Sequence, residues 1–296
     1  MQDFYPTRGT EYQTLDRVDP VVYWNQNRKL SSSIRSKISR YERFGFLHMS
    51  NFLTEQETEM LLGEAMRLRD AAEFESMEEA FYEANTNEVR SIFAVHKLSE
   101  KILSVLQQPR IIEYVSAILD DDVYLHQSRL NFKPAFKGKQ FYWHSDFETW
   151  HAEDGMPRMR ALSLSLTLTP SLSTNGPLML IPGSHRTYVS CAGETPDSHY
   201  KDSLVSQQLG TPNENAVSEL ALAKGITAPV GGPGSATFFD CNTMHGSTSN
   251  ITPFPRINLF IVYNALSNRL TKPFAAGAPR PEFVAARDDI VKIKEI

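Results

Sequence analysis

His144 and Asp146, two residues apart, are side chains whose types and spacing suggest metal chemistry. Side chains on an extended strand alternate between its two faces, so both groups are expected to point the same way and to share one ion. Iron sites built from two histidines and one carboxylate leave coordination positions open and need a second imidazole. His245, which follows a glycine-rich turn and a strand, is the candidate. A hydrogen-bonded His–Asp pair beside an unrelated turn histidine is the alternative. We predict a metal centre, with non-haem iron ahead of zinc.

Cationic and polar side chains lie on strands that are predicted close to this centre. Arg256 begins an apolar strand shortly after His245, where a buried guanidinium would need an anion such as the carboxylate of a bound acid. A surface ion pair is the alternative. One face of another strand carries four polar residues: Gln127, Arg129, Asn131 and Lys133. Such a row marks either a solvent face or the polar lining of a barrel. Ser165, which alternates with leucines on a third strand, has the same ambiguity.

Aromatic residues surround the His–Asp pair. Trp143 and Phe147 are expected to belong to the core. Phe141 and Trp150 flank the proposed ligands, where their rings could enclose a small cationic or zwitterionic substrate through cation–π attraction. His151 is a candidate for a group that supports the centre without binding the metal.

Composition narrows the class of protein. The 296 residues with 41% hydrophobic content are expected to fold as one domain with a sizeable core. A net charge of -5 without a basic cluster argues against nucleic acid or an anionic membrane as a partner. Two cysteines, Cys191 and Cys241, fit a reducing compartment. The N-terminus lacks a signal-peptide pattern, so we expect a cytoplasmic protein.

The first part of the chain, 1–120, is predicted to be largely helical. Apolar positions three or four apart indicate a helix through Leu30 and Tyr41 that ends near Gly45, with a short strand at Phe46–Met49. Thr54 and Glu57 form a capping-box pattern that begins a second helix. The acidic run 73–88 is expected to be solvated helix and loop. Two further helices are predicted at 100–106 and 110–119. An exposed helical layer of this kind is compatible with a homodimer.

From residue 121 the hydrophobic period changes from helical to two, which predicts a β-rich core at 121–275 and a tail at 276–296. Predicted strands cover 123–133, 160–169, 178–181, 235–240 and 256–263. The polar segment 187–224 is expected to be mostly irregular and to cover part of the site. Short strands separated by Gly and Pro turns, after a run of helices, favour an antiparallel sandwich or barrel of the jelly-roll type.

The motif residues resemble a known family. His144-Ser145-Asp146, the distant His245 and the following Arg256 are similar to the pattern of the phytanoyl-CoA hydroxylase superfamily of iron(II)- and 2-oxoglutarate-dependent dioxygenases. The longer runs 141–151 (FYWHSDFETWH) and 153–160 (EDGMPRMR) resemble the signature of the ectoine hydroxylases within it. The resemblance extends over nearly the whole chain, including the segment 5–8 (YPTR).

The resemblance implies a fold, a reaction and a set of residue roles. The fold would be a double-stranded β-helix, a cupin-like jelly roll with flanking helices, and the reaction would be hydroxylation of ectoine at C5 with O2 and 2-oxoglutarate as cosubstrates. His144, Asp146 and His245 would bind Fe(II). The residues implied for 2-oxoglutarate are Lys133 and Arg256, with Asn131 and Ser165 as weaker candidates. Those implied for ectoine are Gln127 and Trp150, followed by Phe141 and Phe260.

Three other functions remain open at this level. Another hydroxylase of the superfamily could act on a different zwitterion or an amino acid, a metal-binding jelly roll could lack oxygenase activity, and a zinc hydrolase could use the same ligands. Two buried cations, Lys133 and Arg256, argue against the second, because a site that binds no diacid gains little from them.

Overall fold

The architecture of the chain is given by a computed structural model, which describes residues 2–83, 88–196, 198–204 and 210–294. The strands are β1 Thr14–Asp16, β2 Phe46–Met49, β3 Ala80–Tyr82, β4 Val89–Phe93, β5 Val123–Lys133, β6 Phe141–His144, β7 Ala161–Thr167, β8 Leu178–Leu180, β9 Thr187–Val189, β10 Ala236–Asp240, β11 His245–Ser247, β12 Arg256–Ala265 and β13 Lys292–Ile293. The helices are α1 Ser32–Phe44, α2 Glu55–Phe74, α3 Val95–Leu98, α4 Glu100–Leu106, α5 Pro109–Leu119, α6 Asp146–Thr149, α7 Tyr200–Ser203 and α8 Glu214–Lys224.

Two antiparallel sheets form the body of the fold. The larger sheet has the order β2-β10-β7-β12-β5-β4-β3, with β13 also paired to β5, and the smaller sheet has the order β6-β11-β8. Leu178 and Leu180 of the small sheet pack against Phe239 and Phe260 of the large one, which closes the two layers on each other. The predicted jelly-roll fold is confirmed.

The two faces of the large sheet have different chemistry. On β7, Leu162, Leu164 and Leu166 pack into the main hydrophobic core with the helices. Ser163 and Ser165 point to the opposite face and are nevertheless buried, at 2% exposure each. The polar rows of the sequence therefore line the interior between the sheets rather than a solvent face, because side chains alternate along each strand.

The predicted end of α1 near Gly45 and the predicted start of α2 at Thr54 are confirmed by the cap geometry, whereas α1 begins at Ser32, so Leu30 precedes it. The Ser31 hydroxyl caps α1, which ends at Gly45 with φ of 81° and an amide that donates to the Tyr41 carbonyl. Thr54 and Glu57 form the reciprocal capping box of α2. None of the described helices combines the length and the apolar character that crossing a membrane would require.

Four sequence expectations need correction. The acidic run continues α2 to Phe74 and then forms β3, which pairs with β4, while 84–87 lie outside the described residues. The segment 187–224 begins with β9 and ends with the eleven-residue helix α8, so it is not mostly irregular; its positions 197 and 205–209 lie outside the described residues. The large sheet is not confined to 121–275, because β2, β3 and β4 precede this range. The segment 276–296 also supplies a strand, β13, within its described part.

Candidate active site

The three proposed metal ligands converge at the junction of the two sheets. His144 ends β6, His245 begins β11, and the two residues are directly paired across the small sheet. Asp146 was expected on the same strand as His144, but it begins the helix α6, which the extended residue Ser145 caps. The extended Ser145 still preserves the alternation, so both ligands face the same side. One ligand atom from each of the three residues lies within 4.8 Å of the others.

The main chain orients both imidazoles in the same way. Nδ1 of His144 donates to the carbonyl of Tyr142 at 2.7 Å, and Nδ1 of His245 donates to the carbonyl of Thr243 at 2.9 Å. Nδ1 is therefore engaged in both rings, which leaves Nε2 as the atom that would bind a metal, and the two Nε2 atoms lie 3.7 and 3.8 Å from Oδ1 of Asp146. Imidazoles fixed through Nδ1 with Nε2 free are the usual arrangement of histidine metal ligands.

The protonation states also suit a cation. Burial, reinforced by His245, lowers the pKa of His144 to about 3, so its imidazole is neutral at ordinary pH. Burial opposes ionisation of Asp146, but the two histidines, Arg129 and a hydrogen bond from Ser163 outweigh it and lower the pKa of Asp146. The set offers two imidazole nitrogens and one carboxylate oxygen, which fits Fe(II).

A cavity on one side of the triad carries strongly positive charge. Among the described residues that line it, five are cationic and none is a carboxylate. Arg256 and Lys133 are paired across β12 and β5, and their exposed fractions are 5% and 6%. The cations are Arg90, Arg129, Lys133, Lys139 and Arg256. Arg90 is paired with Glu83 and Lys139 is exposed, so a bound anion would chiefly be a partner for Arg129, Lys133 and Arg256.

Arg256 is held in place but incompletely satisfied. Its Nη1 donates to Oδ1 of Asn258 at 2.9 Å, and Nδ2 of Asn258 donates to Oγ of Ser165 at 2.8 Å. The Nε of Arg256 is buried and hydrogen-bonded to none of the described residues. A carboxylate that accepts from this guanidinium would satisfy the donor, since buried polar groups are normally paired. Ser165 thus reaches the cavity through Asn258.

Lys133 is the cation whose charge depends most on what occupies the cavity. Its Nζ donates to Oγ of Ser247 at 2.8 Å and to the carbonyl of Thr248 at 2.6 Å. Burial, followed by repulsion from Arg256 and Arg90, lowers the pKa of Lys133 to about 6. A dianionic ligand would reverse this shift, because an opposite charge favours the ammonium form.

A second cavity opens on the other side of the triad. Gln127 and Trp150 line it together with Asp146, which connects it to the metal ligands. Nε2 of Gln127 donates to the carbonyl of Val284 at 2.7 Å, and Trp150 packs edge-on against His126 with ring centroids 5.3 Å apart. Both side chains are therefore rigidly placed. This cavity offers an aromatic wall and a fixed amide to a small polar molecule.

The two cavities share three lining residues: Arg129, Phe141 and His144. The Phe141 ring lies 5.7 Å from the His144 ring, so it stands at the boundary between the cavities. Phe260 lines the cationic cavity, as does Asn131, and Phe260 is not among the described residues that line the cavity of Gln127 and Trp150. The ectoine contact implied for Phe260 therefore stays a prediction that the geometry does not favour.

The aromatic and histidine expectations can be compared with their positions. Phe147 is fully buried and packs edge-on against Tyr5 at 5.1 Å, as expected for a core residue. Trp143 is partly buried against Ile181, Val189, Leu220 and Met244. His151 stacks on Phe274 at 3.9 Å, and its Nε2 donates to Oδ1 of Asp3 at 3.0 Å, without reaching the triad.

Sequence reasoning missed several residues of the site. Arg129, which lines both cavities, was named on the polar strand face with Gln127 and Lys133 but was given no role. Asn258 follows Arg256 at strand spacing, which is a signal that would have found it. Arg280 lines the second cavity and pairs with Asp154, but its segment shows no periodic pattern. Arg90 also lines the cationic cavity, from a strand that the sequence did not reveal.

Comparison with known proteins agrees with this geometry. A family model described as phytanoyl-CoA dioxygenase (PhyH) matches residues 41–258. The chain belongs to the phytanoyl-CoA dioxygenase family. The matched range includes the triad, Lys133 and Arg256, whereas Arg280 lies beyond it.

Relatives within the phytanoyl-CoA dioxygenase family match almost the entire chain. An ectoine dioxygenase of Sphingopyxis alaskensis is 48% identical over 293 residues, which are 98% of this chain and 94% of that protein. An ectoine dioxygenase of Streptomyces coelicolor is 46% identical over 97% of this chain and 95% of its own length.

Solved structures that are similar to this chain also match most of its length. A crystal structure of EctD from S. alaskensis with 2-oxoglutarate and 5-hydroxyectoine has a TM-score of 0.86 and 44% identity, and covers 97% of this chain and 95% of that chain. A structure of the same protein with bound Fe has a TM-score of 0.86 and 43% identity, and covers 100% of this chain and 98% of that chain. The epimerase SnoN, with a TM-score of 0.63 and 18% identity over 87% of this chain and 97% of that chain, shares the fold alone.

Proposed function

We propose that this protein is an iron(II)- and 2-oxoglutarate-dependent dioxygenase that hydroxylates ectoine to 5-hydroxyectoine and releases succinate and carbon dioxide. The observation that carries the proposal is a triad of two histidines and an aspartate between two different cavities, one cationic and one aromatic. Ectoine dioxygenases similar over nearly the full length, and the EctD structure with 2-oxoglutarate and 5-hydroxyectoine, support it.

The cationic cavity is the proposed binding site of 2-oxoglutarate. Arg256 would donate to one carboxylate from its unpaired Nε, with Lys133 adding a second positive charge. Asn131 lines the same cavity, and Ser165 supports Arg256 through Asn258. With these contacts made, the other end of the cosubstrate would point toward His144, Asp146 and His245, which would hold Fe(II). Bound iron and 2-oxoglutarate together supply the activation of O2 that hydroxylates an unreactive C–H bond.

The second cavity is the proposed binding site of ectoine. Gln127, Trp150 and Phe141 would contact the substrate, and the tight packing of the first two fixes their orientation. A fixed wall lets the enzyme present one carbon of the ring to the metal, which is the requirement for hydroxylation at C5 rather than elsewhere. Arg129 adds a positive charge between the cavities that a substrate carboxylate would neutralise.

We also propose, on the sequence grounds given above, that the protein acts in the cytoplasm of its cell and forms a homodimer. The two cysteines support a reducing compartment, since both are buried and unpaired. Sedimentation equilibrium would test the oligomeric state, and a monomer at micromolar concentration would contradict the second part.

The activity is tested by incubating the purified protein with Fe(II), ascorbate, 2-oxoglutarate and ectoine, and by measuring succinate and 5-hydroxyectoine. We expect both products in equal amounts. Proline in place of ectoine should give little succinate, because proline would not fill the cavity that is proposed for ectoine. His144→Ala should abolish both products and iron binding, because it removes one of three protein ligands. Succinate release by this variant at the wild-type rate would overturn the proposal.

A further inference from the structure

Phe141 stands between the two cavities, and its position depends on a buried ion pair behind it. The guanidinium carbon of Arg90 lies 4.6 Å from the centroid of the Phe141 ring, within the range of cation–π attraction. Arg90 also donates from Nη2 to the carbonyl of Gln140 at 3.2 Å. The residue therefore holds both the ring of Phe141 and the main chain that leads into it.

Glu83 fixes the guanidinium in turn. Nη1 of Arg90 lies 3.0 Å from both Oε1 and Oε2 of Glu83, and the two side chains are 6% and 2% exposed. Oε1 of Glu83 also accepts from the amide of Lys139 at 3.2 Å. The ion pair thus anchors two consecutive residues before Phe141. Nη1 shares its contact between the two carboxylate oxygens, while Nε and Nη2 donate to main-chain carbonyls, so the planar guanidinium is fixed in orientation.

Arg90 makes one more contact, which reaches the second cavity. Its Nε donates to the carbonyl of Leu204 at 3.1 Å, and Leu204 lines the cavity of Gln127 and Trp150. Arg90 itself lines the cationic cavity. One guanidinium therefore contacts a wall of each cavity and the ring that separates them.

We propose that Arg90, held by Glu83, is a positioning residue that fixes Phe141 as a partition and so keeps consumption of 2-oxoglutarate coupled to hydroxylation of the substrate. This inference rests on the proposed function. In the coupled reaction, one oxygen atom of O2 enters succinate and the other enters the hydroxylated product. In the uncoupled reaction, the second oxygen atom is reduced to water by two electrons and two protons, and ascorbate in the assay is the reductant.

A loosened Phe141 favours the uncoupled reaction for a geometric reason. A displacement of about 1 Å at a reacting carbon can slow its reaction on the order of a hundredfold. Arg90 lines the cationic cavity, but its charge is paired with Glu83, so the proposed 2-oxoglutarate contacts are those of Arg256 and Lys133. Among the described contacts, Arg90 does not touch the metal ligands. Hydroxylation is therefore expected to suffer more than succinate formation.

The test compares Arg90→Lys and Glu83→Gln with the wild type. Lysine retains the positive charge and loses the planar fork, which makes this exchange a sensitive probe of positioning. We expect the ratio of succinate to 5-hydroxyectoine, equal to one for coupled turnover, to rise severalfold in both variants. Hydrogen exchange of the amides of 139–141 in the metal-free protein should accelerate, which gives a readout independent of activity.

Arg17→Lys is the matched control, because Arg17 forms a buried pair with Asp240, at 3% and 2% exposure, and lines neither cavity among the described residues. It should lower stability and leave the product ratio unchanged. An unchanged ratio in the Arg90 and Glu83 variants, with wild-type exchange at 139–141, would show that the pair is purely structural. Absence of ectoine-dependent succinate in the wild type would instead refute the proposed function, so the two failures are distinguishable.

Discussion

Single polar groups carry most of the information about what the site binds. The Nε atoms of Arg256 and Arg129 are buried without a hydrogen-bond partner among the described residues. Burial alone lowers the pKa of Arg256 to about 10, which shows how little the surrounding protein compensates its charge. The cost of desolvating these cations is incurred on folding. An anionic ligand that pairs with them therefore binds more tightly, because binding does not incur that cost again.

At this scale we predict that 2-oxoglutarate binding takes up a proton at Lys133. The pKa of Lys133 is about 6 before binding, and the cosubstrate carboxylates should raise it. Between the pKa of Lys133 in the free protein and its higher pKa in the complex, Lys133 is mainly neutral without 2-oxoglutarate and protonated with it. Affinity should therefore weaken by up to about tenfold per pH unit as pH rises through this window.

Calorimetry of the anaerobic Fe(II) protein at pH 8, in buffers of different ionisation enthalpy, measures the proton uptake. Lys133→Arg is the control: an arginine remains charged, so the uptake should disappear. Equal apparent enthalpies in all buffers for the wild type would contradict the prediction.

Much of the site at residue scale follows from sequence alone. His144 and Asp146 were proposed as metal ligands from their spacing, and His245 from the turn and strand that precede it. Gln127 and Lys133 were noted on one polar strand face, but their binding roles came from the family resemblance. The lysine's charge state was not predictable, since it depends on Arg256 and Arg90, which other strands bring close. Pairing across strands is a tertiary property, and a single sequence gives alternation within a strand without naming its neighbour.

At the scale of elements, short segments are held by buried charges rather than by propensity. The four-residue helix α6 begins with Asp146 and carries Glu148, whose carboxylate accepts from Nε of Arg8 at 2.7 Å and from Oγ1 of Thr7 at 2.5 Å. Arg8 also donates to Glu153 at 3.1 Å. A helix this short is not stable alone, so the N-terminal segment supplies part of its stability.

We predict that Arg8→Met lowers the free energy of unfolding by about 3–5 kcal/mol, because it leaves the buried Glu148 carboxylate uncompensated. Urea unfolding followed by circular dichroism measures the loss. Adding Glu148→Gln should recover part of it, since the uncompensated charge is removed. Arg69→Met, at an exposed pair with Asp70, should change stability by about 0–1 kcal/mol. A similar small effect for Arg8 would refute the argument.

The cap of α2 gives a second prediction at this scale. Thr54→Ala should destabilise the protein by about 1 kcal/mol, because the amide of Glu57 loses its acceptor at 3.2 Å. The same unfolding experiment tests it, and Thr54→Ser, which retains the hydroxyl, should be close to neutral. Equal losses for alanine and serine would show that the hydroxyl is not the relevant group.

Caps of this kind explain which elements the sequence predicts. α1 was recognisable from its apolar periodicity and from Gly45 at its end, and α2 from its capping box at Thr54. β3 was missed because it lies within an acidic run and owes its conformation to pairing with β4. α8 was missed because its only buried residue is Leu220, so it shows little apolar periodicity.

At the scale of the molecule, distant parts of the chain close on one site. Arg8 contacts the metal-binding motif from the N-terminal side, and Arg280 pairs with Asp154 from the C-terminal side. The amide of Ala286 also donates to the carbonyl of His126 at 2.8 Å. The segment predicted as a tail is therefore part of the wall. No local sequence pattern predicts this role, because the partners of the segment lie more than a hundred residues earlier in the chain. Arg280 and Asp154, for example, are 126 positions apart.

We predict that Arg280→Met loosens this wall and spares the metal centre. Hydrogen exchange in 276–293 should accelerate and the KM for ectoine should rise, because Arg280 lines the cavity of Trp150. Iron affinity should remain near the wild-type value, since the triad is formed by other segments. Arg269→Met is the control, because the exposed Arg269 also donates to the same segment, at the Arg287 carbonyl. A large loss of iron from the Arg280 variant would contradict this division.

The hydrogen bonds that orient the two imidazoles end on main-chain oxygens, those of Tyr142 and Thr243. A codon change at either position alters a side chain and leaves its carbonyl where it was. Mutation therefore has few routes by which to turn these rings, apart from replacing the histidines or breaking the pairing of β6 and β11. Sequence drift around the ligands can remodel the cavity walls, and hence the choice of substrate, while the metal keeps its geometry.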